Sequence, residues 1–172
     1  MFRKVKDDIY SVGVIDWHRK LFDELIPLPD GTSYNSYFIK GETKNAIIDT
    51  VEPDFVEDFL DNLDDLGVEK IDYIISNHAE QDHSGSIPYL LNEFPEAEVL
   101  SSKKAKPMLL DLLDLEADKI RVVEEGDTVD LGGRTLEFID TPWVHWPETM
   151  STYLQEENIL LPCDFFGSHL AT

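Results

Sequence analysis

Residues 71–83 read IDYIISNHAEQDH, an apolar run that breaks abruptly into His78, Glu80, Asp82 and His83. Four potential metal ligands therefore stand within six residues. The run over residues 71–75 has few polar interruptions, the mark of a strand covered on both faces. A strand of that kind needs a layer of structure on either side, so the chain must be layered α/β material, and the ligands must sit where the strand ends. As a regular strand, positions 78, 80 and 82 would share a face; as a helix, 78, 82 and 83 would cluster. A tight loop satisfies neither pattern strictly but can fold all four groups around one point. The chain holds five histidines, and two in one loop argue against coincidence.

The rest of the pattern supports that class. Tyr10, Val12 and Val14 alternate as a first strand, and residues 16–31, with Pro27, Pro29 and Gly31, read as a long loop. Residues 34–39 and 45–49 form a hairpin. Pro53 opens a helix whose apolar face is Phe55, Val56, Phe59, Leu60 and Leu63, and Gly67 ends it. Ser86 caps a second helix, with Leu90, Leu91 and Phe94 facing the core. Val99 and Leu100 are strand, and residues 103–115 a helix that buries Met108, Leu109, Leu112 and Leu113. Strands follow at 122–123, 128–131 and 135–139, with Gly132 and Gly133 between the last two, and a final hairpin joins 152–154 to 159–161.

Two more strand ends offer ligands. His145 lies in Thr141-Pro-Trp-Val-His-Trp-Pro147, where two prolines and two tryptophans promise a stiff apolar wall. Asp164 directly follows an apolar strand, a costly place for a carboxylate unless it is paired or metal-bound, and its two oxygens suit a bridge between two cations. Cys163 reads as a small buried hydrophobe rather than a thiolate ligand. Imidazole with carboxylate suits iron, zinc or manganese, and Glu80 adds a hard oxygen where a third histidine would make a more zinc-like set.

Charge limits the partners. Thirty-six acids against 14 Lys plus Arg leave a net charge of -22. The largest basic cluster is Lys103, Lys104 and Lys106, so neither nucleic acid nor an anionic membrane surface is an expected partner. The acid excess fits solubility, a basic protein partner, or acids neutralised by bound metal. One cysteine gives no internal disulfide, and no run approaches the ~20 apolar residues of a membrane span, so a cytoplasmic protein is expected.

The set His78-x-Glu80-x-Asp82-His83, then His145 about 60 residues on and Asp164 about 19 later, resembles the ligand pattern of the flavodiiron proteins (A-type flavoproteins). The likeness extends to Asp49, Asn77, Ser84-Gly85, Trp146-Pro147 and Asp164-x-Phe-Gly-x-His169, and covers essentially the whole chain. It implies a metallo-β-lactamase-like αβ/βα sandwich. Hydrolytic members of that fold carry His-x-His-x-Asp-His instead, and would use a zinc pair to activate water.

The resemblance implies a non-heme diiron centre, with zinc as a possible substitute, that reduces dioxygen to water, nitric oxide to nitrous oxide, or both. It would place one iron on His78, Glu80 and His145 and the second on Asp82, with Asp164 as the bridge. His83 occupies a ligand position but in some members turns away. His169 would stand close by, Asp49 would support the ligand loop, and Trp17, His18 and Phe22 are candidates to line the substrate pocket. A further histidine ligand is expected some 60 residues after the bridging aspartate, whereas this sequence stops eight residues after Asp164. A flavodoxin-like FMN domain, which would deliver electrons within a homo-oligomer, is likewise expected only in a C-terminal part not contained here. Residues 1–172 are thus expected to be one incomplete domain, the first half of the sandwich plus part of the second. The alternatives are a dizinc hydrolase of the metallo-β-lactamase fold and an inactive truncated domain.

Overall fold

The apolar run ends up in the middle of a sheet. In a computed structural model of the chain, residues 2–22 and 24–172 are described; Met1, and Asp23 within the expected loop, lie outside them. The strands are β1 (Arg3–Lys6), β2 (Ile9–Ser11), β3 (Val14–Asp16), β4 (Leu21–Phe22), β5 (Ile26–Pro27), β6 (Thr32–Tyr34), β7 (Tyr37–Lys40), β8 (Asn45–Ile48), β9 (Tyr73–Ser76), β10 (Glu98–Ser102), β11 (Ile120–Val123), β12 (Thr128–Asp130), β13 (Thr135–Asp140), β14 (Met150–Leu154) and β15 (Ile159–Leu161). The helices are α1 (Val56–Asp65), α2 (Gln81–Ser84), α3 (Ile87–Glu93) and α4 (Ala105–Leu112).

One sheet runs β1-β2-β7-β8-β9-β10-β11, antiparallel up to β8 and parallel from β8 to β11. The parallel part needs crossovers, and α1, α3 and α4 supply them. Alternation along β8 and β9 sends Ile47 and Ile74 into the core with Phe59, Leu63, Leu90 and Leu109 from the helices. It sends Ile48 and Ile75 into a second core with Leu136, Phe138, Met150 and Leu161. Those residues belong to the second sheet, an antiparallel β12-β13-β14-β15 meander. Each fully buried side chain of this size contributes about 1.5–3 kcal/mol, so the two cores hold helix layer, sheet and sheet together.

Several local expectations are corrected. The first strand is broken at Gly13, where the chain packs so closely on residues 34–36 that an added Cβ would lie 2.0 Å from the Tyr34 carbonyl oxygen. The expected strand 34–39 splits likewise, Tyr34 pairing with Val14 and Tyr37 with Ile48. Residues 16–31 are not one loop but hold the β4–β5 hairpin. Ser86 does start α3, yet its hydroxyl donates to the Val51 carbonyl and caps nothing. The helix expected over 103–115 is α4 alone, and Leu112, expected to be buried, is 42% exposed because it lines an open cleft with Phe22 and Trp146. Among the described residues, no helix is long and apolar enough to cross a membrane.

Candidate metal centre

Asp49, at the end of β8, and Asn77, just past β9, build the floor. Asp49 turns the chain with φ 55° and is buried. Its carboxylate accepts the Asn77 backbone N–H at 2.7 Å and the Asn77 side-chain amide at 3.2 Å. That amide also donates to the Leu161 carbonyl at 3.1 Å, and its oxygen accepts from the Thr152 hydroxyl at 2.8 Å. Asn77 therefore ties the parallel sheet to the β14–β15 hairpin, and with it the His78 loop to the Asp164 loop. The expected tight loop contains one helical turn, α2, with Glu80 at its N-cap position and Asp82 and His83 inside it.

The residues singled out in the sequence converge. Glu80 Oε2 lies 3.1 Å from His78 Nε2 and 3.0 Å from His145 Nε2. One donor atom from each of these three lies within 4.8 Å of the others, the spacing of groups that share a cation. Asp164 stands between two sets. Its Oδ2 faces His78 Nε2 at 3.6 Å and His145 Nε2 at 3.9 Å. Its Oδ1 lies 3.0 Å from His83 Nε2, which is itself 3.7 Å from Asp82 Oδ2.

Two carboxylate oxygens of the cluster are left over. Asp82 Oδ1 and Asp164 Oδ2 are buried without a hydrogen-bond partner among the described residues, which is costly for a carboxylate. Asp82 is pushed up to about 6 by burial and then by Glu80 and Asp164. Burial pulls His78 down, but its contacts with Glu148 and Glu80 outweigh that and raise it to about 9. His83 is opposed by burial too, yet Asp164, Asp49 and Asp82 hold it well above the usual imidazole range. Burial likewise works against the charge of Glu80 and Asp164, and the imidazoles overcome it and keep both below the usual carboxylate range. Three carboxylates and three imidazoles around two adjacent points, with orphaned oxygens aimed inward, fit a pair of cations with hard oxygen and borderline nitrogen donors.

Not every expectation about the surroundings holds. His145 is half-exposed rather than walled in. Trp146 packs edge-on against His78 at 5.1 Å, but Trp143 is 72% exposed and shields nothing. Phe22 does line the cleft of about 290 Å³ over Asp82, His83, His145 and Asp164, whereas Trp17 and His18 point to solvent. His169 lines the same cleft, tilted against Phe22 at 4.7 Å between ring centres and 3.1 Å from the Thr32 hydroxyl through Nδ1. Cys163 is half-buried rather than buried; burial and then Asp49 push its thiol up to about 12, against a thiolate. Sequence reasoning missed Glu148, whose carboxylate receives the other ring nitrogen of His78. Its only signal was its place three residues after His145.

A helix-covered sheet packed on a second sheet, with ligands on the loops at strand ends, defines a metallo-β-lactamase-like domain. The chain matches the family described as ODP family beta lactamase over residues 32–172 and belongs to that family. It is 41% identical over 168 residues to the flavo-diiron protein FprA2 of Clostridium acetobutylicum, which covers 96% of this chain and 42% of the relative. It is 38% identical over 170 residues to the nitric oxide reductase of Moorella thermoacetica, covering 98% of this chain and 42% of the relative. Among solved structures, rubredoxin oxygen:oxidoreductase from Desulfovibrio gigas superposes with a TM-score of 0.95 at 30% identity, covering 100% of this chain and 43% of that one. The chain thus spans about 42% of the length of these curated relatives.

Proposed function

We propose that this chain forms a non-heme diiron centre that reduces dioxygen to water, nitric oxide to nitrous oxide, or both. The observation that carries the reading is Asp164, which presents one carboxylate oxygen to His78 and His145 and the other to His83. His78, Glu80 and His145 would hold one iron, Asp82 and His83 the second, and Asp164 would bridge them. A ferrous pair held there would supply two electrons, enough to convert two nitric oxide molecules to nitrous oxide and water; reduction of dioxygen to two waters takes four, so two more would come from the electron donor. Glu80 and Asp164 set the hard-oxygen character that favours iron, with zinc as a substitute. Phe22 and Trp146 flank the ligands, while His169 and Thr32 give the cleft a polar wall.

Similarity to proteins named as an oxygen oxidoreductase and a nitric oxide reductase supports the substrate class. Electrons would come from a redox partner or a flavodoxin-like domain carrying FMN, within a cytoplasmic homo-oligomer, and residues 1–172 would be one part of the metallo-β-lactamase-like domain. The test is elemental analysis of protein purified without oxygen, followed by dioxygen or nitric oxide consumption with a chemical reductant. About one firmly held iron per chain, a second held only in part, and consumption of either gas are expected, because the second site has fewer protein ligands within residues 1–172. Zinc alone, with turnover of a lactam or thioester, would overturn the proposal in favour of a hydrolase.

A further inference from the structure

Glu148 is 2% exposed, and a buried carboxylate is expensive unless something positive faces it. Its Oε1 accepts from His78 Nδ1 at 2.7 Å and from the Ala79 backbone N–H at 3.1 Å. Its own carbonyl accepts the Ser102 hydroxyl at 2.7 Å, and Ser102 Oγ in turn receives the Ala105 N–H at the start of α4. The residue is thus pinned between the end of β9, the end of β10 and the loop that carries His145. An ionised carboxylate only accepts hydrogen bonds, so the ring proton facing it must sit on Nδ1 of His78. Nε2 is then the atom left to face Glu80 and Asp164, at 3.1 and 3.6 Å. A neutral amide or a carbonyl could also hold a core histidine; a carboxylate does more, because an anionic partner on Nδ1 strengthens Nε2 as a donor to a cation on the far side of the ring.

Resting on the metal-centre reading above, we infer that Glu148 is a positioning residue. It holds His78 in the Nδ1–H tautomer and aims Nε2 at the point shared by Glu80, His145 and Asp164. Because residues 145 and 148 share one loop, a single segment both supplies one ligand and orients another.

The test is titration of the metal-free chain with Zn2+ against a chromophoric chelator, in wild type, Glu148→Gln and Glu148→Asp, each checked for folding by near-ultraviolet circular dichroism. Glu148→Gln is expected to weaken zinc binding about 10–100-fold. In the zinc-loaded, diamagnetic chain it should also move the His78 Nδ1–H proton resonance upfield. Glu148→Asp, which keeps the charge but shortens the reach, should fall between, and carries the comparison if Glu148→Gln does not fold. In a His78→Ala background the Gln substitution should cause no further loss, as a contact acting through His78 requires. Equal affinity in wild type and Glu148→Gln would overturn the inference alone. So would the same loss with and without His78, which would make Glu148 part of the fold only. A wild-type chain that binds no zinc would overturn the metal-centre reading and the inference together.

Discussion

Asp164 Oδ1 lies 3.0 Å from His83 Nε2, and the partner oxygen of the same carboxylate, Oδ2, is buried with no hydrogen bond among the described residues. One side chain therefore serves two ligand sets through two anionic oxygens. Asp164→Asn keeps the shape but offers only one oxygen, and its amide nitrogen would point N–H groups at one of the metals. Iron content should fall below that of the wild-type chain, to about one per chain or less, as read by elemental analysis of protein purified without oxygen. A variant that still holds a full pair would show that the bridge is dispensable.

Glu80 lies close to two imidazoles, 3.1 Å from His78 and 3.0 Å from His145. Replacing it with histidine swaps a hard oxygen for a third nitrogen, a set better suited to zinc. When the Glu80→His chain is loaded from an equimolar mixture of ferrous and zinc ions, the zinc-to-iron ratio should rise severalfold over wild type. An unchanged ratio would mean that the other carboxylates set metal preference.

Asn77 satisfies three side-chain hydrogen bonds in a buried position that joins the two sheets. Asn77→Ala should destabilise the fold by about 3 kcal/mol, since it strands the Leu161 carbonyl and the Thr152 hydroxyl and leaves Asp49 only the backbone N–H of residue 77. Urea unfolding of the metal-free chain measures this. Asn77→Asp should be worse, because it sets a second carboxylate against Asp49.

Phe59 is 0% exposed in the core under the helices, and Trp143 projects into solvent. Phe59→Ala should cost about 3–5 kcal/mol through the cavity it leaves. Trp143→Ala should change stability by less than about 0.5 kcal/mol despite removing a larger side chain. Thermal unfolding of the pair separates packing from residue size.

The clearest sequence signals were local. Residues 71–75 announce a strand covered on both faces because nearly every position is apolar, and Ile74 and Ile75 do enter different cores. The helix carrying Phe59 and Leu63 was legible from its spacing and from Gly67 just past its end, but Pro53 opens a 3-10 turn over Pro53–Phe55 and the helix proper starts at Val56. The candidate ligands were legible because imidazoles and carboxylates at strand ends are chemically conspicuous, and all six converge in the structure.

What the sequence by itself determined is the alternation of strands and helices, the chemistry of the candidate ligands and the acidic surface, since each depends on residue type and short-range order. The tertiary structure alone decided what depends on distant neighbours. Leu112 has a core-like position in its helix yet is 42% exposed, because it lines an open cleft with Phe22 and Trp146 while its neighbours Leu110 and Leu113 pack on the core. Tyr34 and Tyr37 sit three residues apart but join different sheets because Val14 and Ile48 claim them separately. His83 turns inward because Asp164, 81 residues away, stands where its ring can reach. Glu148 looks like one acid among 36 until the fold buries it against His78, 70 residues earlier, because burial and pairing are properties of position in space.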